Sequence, residues 1–143
     1  MSEVKINTDG IRYIALFENT TGATARDCLV DDENNRVIFV VKAGDMGIAI
    51  GKNGEHINRV VKNIGRHVEV VEYSDDPKTF IKGLLQPANV SDVKIVYKDD
   101  RRIAYVEVST KEKGLAIGRN GRNIEKVKLL AKRHHDIDDV SIK

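Results

Sequence analysis

The sequence has few of the residues that mark disulfide scaffolds, metal sites and membrane spans. Its 143 residues include one cysteine, Cys28, no tryptophan and only two prolines. A single thiol forms no internal disulfide, and the four histidines have no carboxylate or thiol partners at ligand spacing. No apolar run approaches the roughly 20 residues that a bilayer span requires. We therefore expect neither a metal site nor a membrane segment.

Signals for targeting, cofactor binding and catalysis are also missing. Residues 1–5 have neither a basic start followed by an apolar core nor an Arg-rich amphipathic pattern, so we expect a cytoplasmic protein. The glycines fit neither the P-loop spacing nor the dinucleotide-binding spacing, so no cofactor is expected. Cys28 lies within a predicted strand with no base aligned to activate it, which favours a small core residue. No catalytic residue is predicted, and the protein is not expected to be an enzyme.

The small net charge of +2 conceals a difference between the two halves of the chain. Residues 1–73 carry nine Lys/Arg and eleven Asp/Glu, whereas residues 74–143 carry fifteen and eleven. Within the second half, residues 109–135 contain eight basic residues and two acids. This stretch is expected to attract a polyanion.

The chain contains an internal repeat. Residues 47–60 and 114–127 match at a constant offset of 67 residues, with eight of fourteen positions identical and three conservatively replaced. The same offset aligns the β-branched stretch 36–41 with residues 103–108. A whole folding unit is therefore predicted to be duplicated, with a first domain over residues 1–73 and a second over residues 74–143.

Each unit is predicted to have the element order α-β-β-α-α-β. Asp9 is expected to cap the first helix and Asp76, with Pro77 at the first helical position, the corresponding helix of the second unit. Spacing, β-branched runs and turn residues predict the remaining elements. The predicted strands cover residues 24–30, 36–41 and 68–71 in the first unit and 90–97, 103–108 and 137–142 in the second.

A Gly-x-x-Gly loop lies between two helices of each unit, at residues 51–54 and 118–121. Glycine allows the backbone to turn sharply and to approach a ligand, and the following helix begins with N–H groups that carry a partial positive charge. Lys52 and Arg119 add a mobile cation to each loop. The arrangement suits the binding of backbone phosphates without a preference for base.

These loops and their flanks, at residues 50–57 and 117–124, resemble the signature of KH domains. The predicted element order resembles the type II variant, an α+β fold with a three-stranded sheet packed on helices. Two such domains in tandem are similar to the RNA-binding half of NusA-family transcription factors, in the short form of the archaeal members. The resemblance implies binding of single-stranded RNA and a role in transcription termination or antitermination. RNA polymerase enters as a candidate partner, although the region that usually contacts it in the long form has no counterpart here.

The candidate RNA-binding residues are the two loops and the basic residues that follow them. They are Gly51, Lys52, Asn53, Gly54, Arg59 and Lys62 in the first unit and Gly118, Arg119, Asn120, Gly121, Arg122 and Lys126 in the second. The second unit is expected to contribute more of the salt-sensitive affinity. Ile50, Ile57, Ile117 and Ile124 are expected to support a base-binding groove, and Ile57 and Ile124 are equally compatible with a place in the core.

Two other functions fit the same sequence. KH domains of this topology also occur in ribosomal and ribosome-associated proteins, which leaves a role on the ribosome or in its assembly open. The other alternative is a protein-interaction scaffold whose loops have lost their affinity for RNA. Nothing in the sequence demands more than a monomer.

Overall fold

The computed structural model describes residues 7–143. These residues form two compact units that divide between Ser74 and Asp75. Each unit has the element order α-β-β-α-α-β and an α+β architecture, which confirms the predicted fold. The helices and strands of the first unit are α1 (Thr8–Thr21), β1 (Ala25–Asp31), β2 (Arg36–Val41), α2 (Met46–Ile50), α3 (Glu55–Ile64) and β3 (His67–Glu72).

The second unit repeats this order with longer strands in its hairpin and a longer final helix. Its elements are α4 (Pro77–Leu85), β4 (Val90–Lys98), β5 (Arg101–Val108), α5 (Lys113–Ile117), α6 (Arg122–His135) and β6 (Asp139–Ile142). The last strand begins two residues later than predicted. Ile137 is buried, and its N–H donates to the Ala131 carbonyl at the end of α6 instead of pairing in the sheet.

Each unit contains one three-stranded sheet. In the first, β2 is the central strand, paired antiparallel with β1 and parallel with β3. In the second, β5 takes the same position between β4 and β6. A parallel pair needs a crossover connection, and here the crossover carries α2 and α3, or α5 and α6. The Gly-x-x-Gly loop of each unit lies within this crossover.

Apolar side chains of the helices and of one sheet face form the core of each unit. In the first unit the rings of Phe17 and Phe39 stack with their centroids 4.2 Å apart. Cys28 belongs to the same buried cluster, as predicted. In the second unit Phe80 and Leu130 are among the buried residues.

The first helix begins earlier than predicted. Its N-cap is Asn7, whose Oδ1 accepts the Gly10 N–H at 2.7 Å, while Asp9 lies in the first turn. The prediction that Asp9 caps α1 is therefore wrong, because two capping-type residues lie close together and only Asn7 has the extended backbone of a cap. The second prediction is confirmed: Asp76 caps α4 by accepting the Thr79 N–H at 3.2 Å, and Pro77 is the first helical residue.

No helix within residues 7–143 combines the length and the apolar character needed to cross a bilayer. Over the same residues, no three His, Cys, Asp or Glu side chains lie together in a group that could hold a metal ion.

Candidate nucleic-acid interface

The two Gly-x-x-Gly loops have the same backbone conformation. Gly51 has φ 77° and ψ 172°, and Gly118 has φ 80° and ψ 167°. Each loop then makes a single 3-10 turn, in which the N–H of the second glycine donates to the carbonyl of the first at 3.1 Å. The repeat seen in the sequence therefore extends to the geometry of the loop.

A left-handed residue precedes the second glycine of each loop. Asn53 and Asn120 both have φ 56°. Asparagine is one of the few residues with a Cβ that adopts this region readily, because its short polar side chain bonds locally. The left-handed backbone therefore favours asparagine at this position, and the asparagine side chain also supplies a polar group.

Each loop presents its two middle side chains and the start of a helix to solvent. Lys52, Asn53, Arg119 and Asn120 are exposed. Gly54 and Gly121 are the N-caps of α3 and α6. The first N–H groups of α3 and α6, on Glu55 and Arg122, donate to the carbonyls of Lys52 and Arg119 within the loop turns. A glycine has no side chain with which to cap the later N–H groups of the first turn, so the positive end of each helix dipole is available to an anion.

The basic residues that follow the loops lie in different environments. Lys62 and Arg122 are exposed. Arg59 is 59% exposed, and its guanidinium donates to Glu55 at 2.7 Å within the same helix. Lys126, the repeat equivalent of Arg59, is only 4% exposed. The structure therefore does not place Lys126 on the open basic surface on which the sequence placed it.

The burial of Lys126 follows from the packing of α6. Lys126 lies beside Val127, Leu130 and Ala131, the other buried residues of this helix, and α6 packs against α4. The long aliphatic stem of lysine allows the residue to occupy such a position. Farther along α6, Lys132 donates to Asp138 at 2.8 Å, and this hydrogen bond raises the pKa of Lys132.

The first turn of the helix differs in charge between the two units. Glu55 starts α3, whereas Arg122 starts α6 at the equivalent position. A carboxylate favours the helix N-terminus electrostatically but repels a phosphate there. The loop of the second unit therefore has the more favourable charge for an anion.

A side chain in the following helix reaches back across each loop. The His56 ring Nδ1 lies 2.6 Å from the Ile48 carbonyl oxygen, and the Asn123 side-chain N–H donates to the Ala116 carbonyl at 2.8 Å. His56 and Asn123 are repeat equivalents. The sequence did not identify this contact, although the shared position of two hydrogen-bonding side chains was a visible signal for it.

The other three histidines lie in two different environments. His67 is exposed on β3. His134 and His135 instead lie against the Phe80 ring, at centroid distances of 5.6 and 5.2 Å, and are half-buried. The end of α6 turns this pair towards Phe80 of α4.

Apolar side chains lie next to the loops. Ile57 is partly buried and packs against the core cluster of the first unit, which favours a core role for it. Ile48 and Leu115, repeat equivalents in the short helices before the loops, are 49% and 50% exposed. Ile50 and Ile117, the residues predicted for the groove, are less exposed than this pair.

Comparison with known proteins identifies both units. The KH domain family matches residues 11–75, and the NusA-like second KH domain family matches residues 77–142. A probable transcription termination protein NusA of Halobacterium salinarum is 43% identical over 139 residues, which cover 97% of this chain and 98% of that protein. The homonymous protein of Methanocaldococcus jannaschii is 33% identical over 99% of this chain and 76% of its own length.

The likeness extends to a solved structure and to bacteria. The crystal structure of APE1850 has a TM-score of 0.86 and 35% identity, covering 96% of this chain and 100% of that one. The transcription termination/antitermination protein NusA of Thermus thermophilus is 35% identical over 80 residues, which are 55% of this chain and 20% of that protein.

Proposed function

The chain belongs to the NusA family and consists of two tandem KH domains, and from this premise we propose that it binds single-stranded RNA during transcription termination or antitermination. The observation that carries the proposal is the pair of loops with one backbone conformation at equivalent positions. The names of the relatives favour a role in transcription over a ribosomal role or a scaffold without RNA affinity. RNA polymerase is the protein partner that such a role suggests.

Each loop would contact the RNA backbone through three kinds of group. The first-turn N–H groups of α3 and α6 that the loop turns do not use would donate to phosphate oxygens, Lys52 and Arg119 would supply charge, and Asn53 and Asn120 would add side-chain N–H donors. None of these contacts depends on the base, so they would fix position and leave sequence preference to the neighbouring surface. The action proposed is binding, with no chemical step.

The surface beside each loop suits unstacked bases. Ile48 and Leu115 place exposed apolar side chains immediately before the loops. An RNA duplex keeps its bases stacked and shields them, whereas a single strand can lay them on an apolar surface. A preference for single-stranded over double-stranded RNA follows from this arrangement.

The two domains would contribute unequally. In the first, Glu55 would repel phosphate and also engages Arg59. In the second, Arg119 lies within the loop and Arg122 follows it at the position of Glu55, so residues 118–124 contain no acid. We therefore assign the larger and more salt-sensitive share of affinity to the second domain, with Gly118, Arg119, Asn120, Gly121 and Arg122 as its contact residues. Lys126 is left out because its side chain is buried.

The test is to make each loop acidic and to measure RNA binding across a salt series. The variants are Lys52→Asp with Asn53→Asp, Arg119→Asp with Asn120→Asp, and all four together. The left-handed backbone accepts aspartate, since Asp99, Asp100 and Asp136 have φ between 52° and 61° in this chain. Each variant should keep its fold and lose affinity for single-stranded RNA, with the greater loss in the second domain.

A control with the same charge change separates contact from net charge. Lys78→Glu with Gln86→Glu lies at exposed positions at the start and end of α4, away from both loops in sequence. This variant should bind nearly as the wild type does at physiological salt, where distant exposed charges are screened. A loss in the control equal to that in the variant Arg119→Asp with Asn120→Asp, which has the same charge change, would overturn the proposal.

A further inference from the structure

We propose that His56 and Asn123 are positioning residues that hold the two loops in their phosphate-binding conformation before RNA arrives. The proposal rests on the RNA-binding function and assigns a role to two side chains that need not touch RNA. Each side chain connects the helix after the loop to the last turn of the short helix before it. The loop is thereby closed at its base.

The same connection is made by different chemistry in the two domains. The acceptor for His56 is Ile48, in α2, and the acceptor for Asn123 is Ala116, in α5. These acceptors differ by one position in the repeat, yet both are carbonyls near the end of a five-residue helix. Such carbonyls have no partner within so short a helix, so each bond also satisfies a backbone acceptor.

The first glycine of each loop packs directly against the positioning residue. A Cβ placed on Gly51 would lie 2.7 Å from the His56 Cγ and 2.9 Å from its backbone nitrogen. A Cβ on Gly118 would lie 2.8 Å from both the Cβ and the backbone nitrogen of Asn123. The first glycine is thus required by contact within the domain, whether or not a ligand is bound.

The second glycine has open surroundings. A Cβ on Gly54 would lie 3.6 Å from the Asn58 Nδ2, and one on Gly121 would lie 3.9 Å from the Ile124 Cγ2, both ordinary van der Waals distances. The two glycines of each loop therefore have different roles. The first allows the loop to close on the positioning residue, and the second leaves the start of the helix accessible to phosphate.

A loop that is already ordered loses less conformational entropy when it binds. Fixing a flexible residue costs backbone entropy, which would otherwise reduce the affinity for RNA. The bond also fixes a ring tautomer, because Nδ1 must carry the hydrogen that is donated to the Ile48 carbonyl. Neutral His56 should therefore be the Nδ1–H form, which nitrogen chemical shifts distinguish from the commoner Nε2–H form.

The experiment compares truncation of each side chain to alanine with its replacement by the residue of the other domain. The variants are His56→Ala and Asn123→Ala, and the exchanges His56→Asn and Asn123→His, each made in the full chain. Amide hydrogen exchange is followed in the free protein at Gly54 and Gly121, whose N–H groups close the loop turns. Affinity for single-stranded RNA and the midpoint of urea unfolding are measured on the same samples.

The proposal expects a specific pattern. His56→Ala and Asn123→Ala should each speed amide exchange in the loop of the same domain. Each should also lower RNA affinity by about threefold to tenfold, the loss expected when one ordered segment becomes mobile. His56→Asn should restore both, because asparagine already makes this bond in the second domain. The proposal would be overturned if both alanine variants kept slow amide hydrogen exchange and wild-type RNA affinity. It would also be overturned if His56→Asn did not restore the slow amide exchange and the RNA affinity that His56→Ala loses.

The two proposals fail in different ways. If the wild type does not bind single-stranded RNA, the RNA-binding function fails. The hydrogen-exchange pattern and the His56 tautomer still decide whether the side chains hold the loops, since both are measured without RNA. If the wild type binds and the alanine variants are unchanged in both readouts, the positioning role fails while the phosphate clamp stands.

Discussion

At the scale of single residues, the two glycines of each loop differ in what they require of the backbone. Gly51 and Gly118 have φ near 80° with ψ near 170°, a region that only glycine adopts easily. Gly54 and Gly121 lie in the left-handed helical region, which asparagine also adopts. The backbone conformation therefore requires glycine at the first position of the motif, whereas asparagine can also adopt the conformation of the second.

This difference predicts unequal costs of substitution. Gly51→Ala and Gly118→Ala should each reduce the free energy of unfolding by roughly 1–3 kcal/mol, from backbone strain alone and more with the contact at 2.7–2.8 Å. Gly54→Asn and Gly121→Asn should each cost about 1 kcal/mol or less, because asparagine tolerates the left-handed region. Urea unfolding followed by circular dichroism measures all four, and equal losses at the two kinds of glycine would contradict this account.

Residue-scale properties are also where the sequence was least informative. The Gly-x-x-Gly loops and their exposed Lys52 and Arg119 could be located from spacing and composition. The burial of Lys126 could not, because it depends on which face of α6 packs on α4. The role of His56 could not be read from the sequence either, since it depends on a carbonyl eight residues away that only the folded loop brings near.

At the scale of secondary-structure elements, a buried arginine joins the strands of the first sheet. Arg36, at the start of β2, is almost fully buried and donates to Asp31 at 2.7 Å and to Glu69 at 3.2 Å. Asp31 ends β1, and Glu69 lies on β3 directly opposite Ile38. Burial would raise the pKa of the Asp31 carboxyl, but hydrogen bonds from Asn34 and Arg36 outweigh it, so that the pKa lies below its ordinary value.

This lowered pKa predicts how stability depends on pH. The stabilisation from Asp31 is fully present above the unfolded-state pKa of about 3.9 and is lost as the pH falls through the lower folded-state pKa. Asp31→Asn should therefore cost roughly 2 kcal/mol at pH 7, and the difference from the wild type should shrink as the pH falls below about 4.

Urea unfolding at pH 7 and at a series of acidic values tests this expectation. Glu33→Gln is the matched control, because Glu33 is exposed in the turn between β1 and β2. A difference between wild type and Asp31→Asn that stays constant from pH 7 to pH 2 would show that the charge of Asp31 does not contribute.

Most elements could be predicted because their signals are local. The helix of residues 55–64 follows from apolar residues at helical spacing, and β2 was predicted with its observed bounds. The ends of elements were less certain, as Asn7 shows for α1. Helix and strand ends depend on which of several neighbouring polar residues has the cap or turn geometry, and composition alone does not decide this.

At the scale of the whole molecule, one loop geometry is combined with two different charge environments. The element order and the duplication could be predicted because the repeat appears twice in one chain, so that each copy supports the interpretation of the other. The difference in charge at the start of the helix that follows the loop comes from one position, where Glu55 corresponds to Arg122.

Exchanging these two residues should exchange the contributions of the domains. Glu55→Arg is expected to raise affinity for single-stranded RNA, and Arg122→Glu to lower it, each by about tenfold at low salt, since one charge-assisted hydrogen bond is worth roughly 1.5 kcal/mol. Both effects should diminish as salt is added. The double exchange keeps the net charge and should leave affinity near that of the wild type.

Affinities from fluorescence anisotropy with a labelled single strand, at several salt concentrations, measure this exchange. Stability should change little in Glu55→Arg, because the Glu55–Arg59 pair that it removes is exposed. Two single variants that shift affinity in the same direction would contradict the proposed role of this position.

The central claim, that both Gly-x-x-Gly loops grip the backbone of single-stranded RNA, is tested most directly by titrating the protein with a single strand and following backbone amide chemical shifts. The account predicts that the largest changes occur at residues 52–56 and 119–123, where the helix N-termini and the loop cations lie, and that a matched duplex produces weaker changes. Changes confined to other parts of the chain, with both loops unaffected at saturating RNA, would contradict it.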